Sequence, residues 1–304
     1  MSRLHICNTF FEREIELFSR QKSLSEWFRS HPSFLQLQFL PLIYADTNDK
    51  ILVSDLPANP DPRLFLIDDA PKNLPIEHWG PSLAIKKWAE KCHIPYSIPE
   101  PNLISELNSK VFSFLNSPKL PGATLLHTEQ EVTEWMEKTQ GPKVLKTPLG
   151  VAGRGHIFSN VKRLYTLPLI GEPWVERVLD FSTQWNHGKL LGVTCFENEP
   201  NGTYKRTFTA PVESWALDEH IAIAKPLIEK MMNLGYSGNV GVDAFIYLWK
   251  GKKHLHPIVE INGRKTMSWV ALKKPLSYIR AQEGVLPNEL IVNKKTVRFS
   301  RNLI

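Results

Sequence analysis

The stretch "NVGVDAFIYLWKGKKHLHPIVEINGR", Asn239 to Arg264, decides how this chain is read. Two apolar runs flank the turn "KGKK", so they read as two strands of one hairpin. Side chains alternate along a strand, so Asp243 shares a face with Phe245 and Tyr247, and Glu260 shares one with Asn262. Pairing the runs brings Asp243, Glu260 and Asn262 together as oxygen ligands. That set suits Mg²⁺, which takes one or two carboxylates and keeps positions for phosphate oxygens. An exposed polar face is the plainer reading. The flanks "VGV" and "PIV" oppose it, because three unpaired oxygen groups are unfavourable to bury among apolar neighbours. His254 and His256 share the face of Glu260; ligation and ordinary strand packing both stay open for them, the second being commoner.

Upstream lies "VLKTPLGVAGRGHIF", Val144 to Phe158, which reads as a strand running into a glycine-rich turn. Gly150, Gly153 and Gly155 free the backbone to curl and expose N–H groups, and such a concavity binds phosphate oxygens. Lys146 sits on the strand before it and Arg154 inside it. The order matches neither the P-loop nor the dinucleotide fingerprint. On these residues alone an ordinary hairpin and a phosphate loop both fit. His156, just past the loop, is either a phosphate contact or a plain strand histidine.

Outward from these motifs the chain alternates in type. "IELFSRQKSLSEWFRSH" has helical spacing, "FLQLQFLPLIYA" reads as a buried strand or short helix, and "ILVSDLP" and "RLFLIDD" read as strands. "GPSLAIKKWAEKCHI" reads as a helix, and the Pro-rich "PYSIPEPN" after it as a linker. This alternation predicts an α/β unit over 1–100. Further on, "LISELNSKVFSFLNS" reads as one helix, "GATLLHT" and "PKVLKTP" as strands, and "EQEVTEWMEKTQG" as a helix. "PWVERVLDFSTQWNHGKLLGVTCFE" reads as a strand pair turning at "NHG". "DEHIAIAKPLIEKMMNLG" reads as a helix ending at Gly235.

The 304 residues, 42% hydrophobic and 22% charged, have the balance of a globular chain of two or three packed units. Cys7, Cys92 and Cys195 are too far apart for a metal-spaced pair, which fits a reducing cytoplasm. No apolar run is long enough to span a bilayer, so no membrane partner is expected. The net charge of +6 favours anionic ligands. It is spread along the chain without zinc-finger spacing or an RNA-binding signature, so a nucleic-acid partner rests on charge alone.

Taken in order, "VLKTPLGVAGRGH", "PWVERV", "GVDAFIY" and "VEINGR" resemble the ATP-grasp superfamily, to which biotin carboxylase and D-alanine–D-alanine ligase belong. The resemblance covers roughly residues 105 to 272. It implies an α/β (α+β) fold with a Rossmann-like N-terminal unit over 1–100, a small lid over 101–174 carrying the glycine loop, and a C-terminal mixed or antiparallel sheet over 175–304. It implies ATP and Mg²⁺, or Mn²⁺ in its place, as cofactors. Lys110 and Lys146 would face the phosphates, Lys146 reaching the adenine region as well. The loop from Gly150 through Gly153 and Arg154 to Gly155 would close over the β- and γ-phosphates. Glu176, with the backbone of Arg177 and Val178, would read adenine, and Asp180 would hold the ribose. Lys205 would be a further triphosphate lysine. Asp243, Glu260 and Asn262 would hold the metal, and Arg264, with Arg154, would steady the transferring group.

The implied reaction follows. ATP phosphorylates a carboxylate, and an amine or thiol displaces the phosphate to give an amide-like bond with ADP and phosphate released. Phosphoryl transfer needs position and charge neutralisation more than a protein nucleophile, and none is evident. A small carboxylate or peptide with an amine partner is the expected substrate pair, and a homodimer accords with the family. A small-molecule kinase of the same fold and a non-catalytic ATP-binding module are the competing readings. "NTFFERE" and "HWGPS" in the first unit are candidate substrate contacts.

Overall fold

Short apolar runs in the first hundred residues build a four-stranded parallel sheet. Its strands are β1 (Leu4–Ile6), β2 (Lys50–Val53), β3 (Leu64–Leu66) and β4 (Ile76–His78), in the spatial order β3-β2-β1-β4. This computed structural model describes residues 2–18, 22–57, 60–150, 155–158 and 166–273, with the backbone alone of three later strands. Both faces of the sheet are covered, as parallel sheets require. Leu4, Ile6 and Leu52 pack on one face with Phe10, Trp27 and Phe28. Ile51 and Val53 pack on the other with Phe39, Leu40 and Trp79.

The helices of this unit are α1 (Phe11–Glu16), α2 (Leu24–Arg29), α3 (Pro32–Leu37), α4 (Pro41–Tyr44) and α5 (Leu83–Lys91). The single helix expected across residues 15–31 is instead two. Ser23 and Glu26 form a reciprocal capping box, which is a start signal inside the amphipathic window. The "FLQLQFLPLIYA" run is helical in two short pieces, with a proline at the first turn of α3 and of α4. "RLFLIDD" is a strand for three residues only and then turns into a 3₁₀ helix at Ile67–Asp69. Ser82 caps α5 by accepting from Ile85 N at 3.2 Å.

The chain divides into two compact units, one of Met1–Pro101 with Arg264–Ile304 and one of Asn102–Gly263. The second unit begins with α6 (Pro101–Leu107) and α7 (Lys110–Leu115), where one continuous helix was expected. The break is local chemistry. Ser109 caps α7, and the Asn108 amide turns away to accept from Gly263 N at 2.7 Å.

There follow β5 (Thr124–Leu126), α8 (Glu129–Lys138), β6 (Lys143–Lys146), β7 (His156–Ile157) and β8 (Leu169–Pro173). These strands form an antiparallel sheet in the order β5-β8-β6-β7. Next come β9 (Glu176–Asn186), β10 (Lys189–Asn198), β11 (Tyr204–Phe208), α9 (Ser214–Asn233), β12 (Asn239–Trp249) and β13 (Lys252–Asn262). Their five strands pair antiparallel in the order β11-β10-β9-β12-β13. Both hairpins turn on two residues of positive φ, His187–Gly188 and Lys250–Gly251, the combination of a type I′ turn. α9 lays Leu227, Ile228 and Met231 on Val240, Val242, Ile258 and Ile261 of the sheet.

In the last segment α10 (Met267–Lys273) adds Trp269 and Val270 to the core of the first unit. The strands β14 (Ile279–Arg280), β15 (Glu289–Val292) and β16 (Lys295–Arg298) pair antiparallel. No helix among the described residues is long and apolar enough to cross a membrane. All three cysteines are free thiols, Cys7 and Cys195 buried.

Candidate functional site

The β12–β13 hairpin does what its alternation requires. Asp243 lies directly opposite Glu260, and Gly241 opposite Asn262. Asp243 is fixed from both sides. Its Oδ1 accepts from Ser182 Oγ of β9 at 2.6 Å, and its Oδ2 accepts from Asn262 Nδ2 at 3.3 Å. Beyond this pair the register shifts: two steps along β12, Asp243 to Phe245, face four along β13, Glu260 to His256. Pro257 lies in that bulge, where a residue without N–H is tolerated. The glycine of "EINGR" is sterically required. A Cβ on Gly263 would stand 2.9 Å from Asn108 Nδ2 and 3.1 Å from the Tyr236 ring.

Lys110 joins this hairpin to the glycine turn. It is the first residue of α7, and its backbone N–H donates to Pro148 O at 2.8 Å. Its Nζ donates to Gly150 O at 2.9 Å and to Glu260 Oε1 at 2.7 Å. One ammonium, 7% exposed, therefore holds the start of the turn against the expected metal carboxylate. β6 and β7 pair across the turn, Lys146 opposite His156. A Cβ on Gly155 would collide with Thr147 Oγ1, so the close approach of the two sides of the turn demands glycine there. Gly153 and Arg154 lie outside the described residues.

Lys146 is buried and its Nζ donates to Glu172 Oε2 on β8. Burial would raise the Glu172 carboxyl, but the Lys146 ammonium, with His256 and Arg177, offsets this and holds it below its ordinary value. His156 is pushed down to about 4 by burial and then by the charges of Lys146, Lys110 and Arg177. His256 falls to about 4 through burial. Both rings are neutral near pH 7.

The segment expected to read the base begins β9. β12 pairs with Leu179 through Ile246 and with Arg177 through Tyr247, so Val178 is left out of the ladder as a bulge. The bulge turns Arg177 and Asp180 to one side. Arg177 Nη1 donates to Asp180 Oδ1 at 2.8 Å, and its guanidinium lies 4.1 Å from the Phe245 ring centre. Burial raises the Asp180 carboxyl, with Arg177 opposing. β10 pairs with β9 only as far as Asp180, so among the described residues no strand pairs with Glu176 to Leu179 on that edge. Glu176 and Val178 are exposed there. Such an edge offers unpaired N–H and C=O groups.

Lys205 is half-exposed on β11 beside Glu199, at 3.9 Å. Arg264 lies in the first unit and pairs with Glu12. The structure thus brings Lys110, Gly150, Asp243, Glu260 and Asn262 together, with Lys146 beside Lys110 along one crevice. Glu172, Ser182 and Asn108 were not found by sequence reasoning. Glu172 had one signal, a lone carboxylate in the otherwise apolar "LIGEP". Ser182 and Asn108 had none, since their partners are 61 and 155 residues away.

Two adjacent carboxylates with an amide fit a hard divalent cation. Among the described residues no three His, Cys, Asp or Glu side chains form a group that could hold a metal ion, so the candidate set is these two carboxylates with the Asn262 amide. No protein-family model matches the chain, and no curated protein matches it in sequence. Solved structures do. The ADP complex of PurK, N5-carboxyaminoimidazole ribonucleotide synthetase, aligns with a TM-score of 0.50 at 16% identity, over 88% of this chain and 71% of that one. N5-carboxyaminoimidazole synthetase from Staphylococcus aureus, complexed with ADP, has a TM-score of 0.48 at 14% identity over the same shares. Biotin carboxylase from Campylobacter jejuni has 0.47 at 13%, over 63% of this chain and 48% of that one. The first of these carries the architecture, and with the motif order it gives the conclusion that this chain has the ATP-grasp fold.

Proposed function

We propose that the chain is an ATP- and Mg²⁺-dependent ligase that activates a carboxylate for attack by an amine. One observation carries the reading: Asp243, Glu260 and Asn262 converge beside Lys110 and the Gly150 turn within a single unit. Asp243 and Glu260, with Asn262, would hold the metal, which when bound neutralises phosphate charge and orients its oxygens. Lys110 satisfies Glu260; were a cation to hold that carboxylate, the ammonium would be free to face the phosphates. The glycine turn that begins at Gly150 would close over the same group, as the resemblance implies. Arg177, on the open edge of β9, and Asp180, beside it, would border the nucleoside.

The substrate carboxylate attacks the γ-phosphorus and ADP leaves. The amine then adds to the acyl carbon, loses a proton and expels phosphate. These residues bind, orient and neutralise charge, which is most of what phosphoryl transfer asks of a protein. The test is release of ADP and phosphate from Mg²⁺-ATP across a panel of carboxylates and amines, with Lys146→Ala as control. Both products, from wild type only and only when both substrates are present, are the expected result. ADP without phosphate would identify a kinase. Failure of Mg²⁺-ATP to raise the thermal midpoint at any concentration would remove the nucleotide from the reading, since a ligand at about a hundred times its Kd stabilises by about 2.7 kcal/mol.

A further inference from the structure

Ser182 has no role in the reading just given. On β9 it stands opposite Asp243, and Asp243 stands opposite Glu260, so the three form one row across the sheet. Two positions along, Gln184 stands opposite Gly241 and Gly241 opposite Asn262, a second row with no side chain at its centre. Directly opposed residues share a face of the sheet. The three expected metal ligands therefore have two β9 side chains on their own face. Ser182 and Gln184 are each 1% exposed, whereas Asp243 and Glu260 are half-buried, so the first row is shut at the serine and opens at the carboxylates.

Their neighbours Thr183 and Trp185 face the other way. Thr183 Oγ1 lies 2.7 Å from His220 Nε2 of α9 and accepts from Trp185 Nε1 at 2.9 Å, which ties the helix to the sheet. Ser182 is wired towards Asp243 instead. Gln184 Nε2 donates to Ser182 Oγ at 2.8 Å. That bond fills a lone pair of the hydroxyl and leaves its proton for Asp243 Oδ1, 2.6 Å away. Such a short contact is the length of a hydroxyl donating to a charged carboxylate. With Asn262 Nδ2 at 3.3 Å from Oδ2, the carboxylate is held at both oxygens and does not turn freely. We infer that Ser182, oriented by Gln184, is a positioning residue of the metal site, which pre-sets the orientation in which the Asp243 carboxylate would receive a divalent cation. The inference rests on the metal assignment proposed above.

The experiment is titration of the full chain with Mn²⁺ as the probe, followed by water-proton relaxation, alone and with ADP. It compares wild type, Ser182→Ala and Ser182→Thr, with the metal-free thermal midpoint of each. Ser182→Ala is expected to bind Mn²⁺ about ten- to a hundredfold more weakly, the usual cost of removing a hydrogen-bond partner of a metal ligand. Ser182→Thr keeps the hydroxyl and should regain most of that affinity. A merely structural serine would lower the metal-free midpoint and leave Mn²⁺ affinity where it was; that result overturns the inference and leaves the metal assignment standing. Equal loss in Ser182→Ala and Ser182→Thr also overturns it, since the hydroxyl would then not be what matters. Wild type that binds Mn²⁺ neither alone nor with ADP overturns both. Should Ser182→Ala fail to fold, Ser182→Cys decides, because a thiol is of similar size but only a weak donor: full Mn²⁺ affinity in that variant sinks the proposal.

Discussion

At the scale of single residues, the site is a set of charges that satisfy one another. Lys110 holds Glu260, Lys146 holds Glu172, and Arg177 holds Asp180. A buried pair broken on one side leaves an uncompensated charge, which is strongly unfavourable. This separates two kinds of substitution. Glu260→Gln removes a charge but keeps the shape and a hydrogen-bond acceptor for Lys110. We expect ADP release to fall by roughly two orders of magnitude, the size of effect seen when a single fixed charge stabiliser is lost, with the circular-dichroism spectrum unchanged. Full turnover in that variant would end the metal assignment. Lys146→Met leaves the Glu172 carboxylate alone in an apolar wall. We expect a loss of about 3 kcal/mol in urea denaturation, and the double variant Lys146→Met, Glu172→Leu should recover most of it.

At the scale of elements, the small sheet that carries Lys146 and Glu172 meets α8 in a tight contact. A Cβ on Gly171 of β8 would stand 2.7 Å from the Trp135 ring of α8, and Trp135 Nε1 donates to Gly122 O at 3.2 Å. Gly171→Ala should therefore destabilise by about 1–3 kcal/mol through overpacking. Reducing the ring with Trp135→Leu in the same chain should relieve part of that. An alanine variant as stable as wild type would mean that α8 moves freely against the sheet. The bulge at Val178 belongs to this scale too. Strand periodicity alone puts Arg177 and Asp180 on opposite faces. The extra residue brings them together, and no pattern in "VERVLDF" announced it.

At the scale of the whole molecule, acid is the revealing variable. In the second unit His156, His220 and His256 each have pKa values of about 4, against an ordinary 6.5. His220 shows why. It is fully buried, with Nδ1 2.7 Å from Pro257 O and Nε2 2.7 Å from Thr183 Oγ1. Between pH 6.5 and 4 the unfolded chain takes up protons that the native chain refuses. Stability is therefore full above pH 6.5 and falls as the pH drops towards 4. The slope reaches up to about 4 kcal/mol per pH unit if all three rings act. The held-down carboxyl of Glu172 adds in the same direction as the pH falls through its ordinary range. Denaturant midpoints at pH 7.5, 6 and 5 check this, and a flat profile would show that these rings are protonated in the folded chain.

Sequence alone determined what is local and periodic. Alternation in "GVDAFIY" and "PIVEIN" put Asp243, Glu260 and Asn262 on inward faces, and the positive-φ turns closed the hairpins that make them neighbours. The order of four motifs indicated the fold through its resemblance to a known superfamily. Elements that depend on distant partners were not legible. β4 is three residues with Glu and His in it, and it exists because β1 pairs with it across 72 residues. The break between α6 and α7 exists because Asn108 is held by Gly263. Tertiary structure also decided the pairing of charges: which carboxylate each lysine meets follows from sheets packing, and no spacing in the chain encodes it. Glu172 is the sharpest case, an acid in an apolar strand that becomes a partner of Lys146 only when β6 and β8 lie side by side.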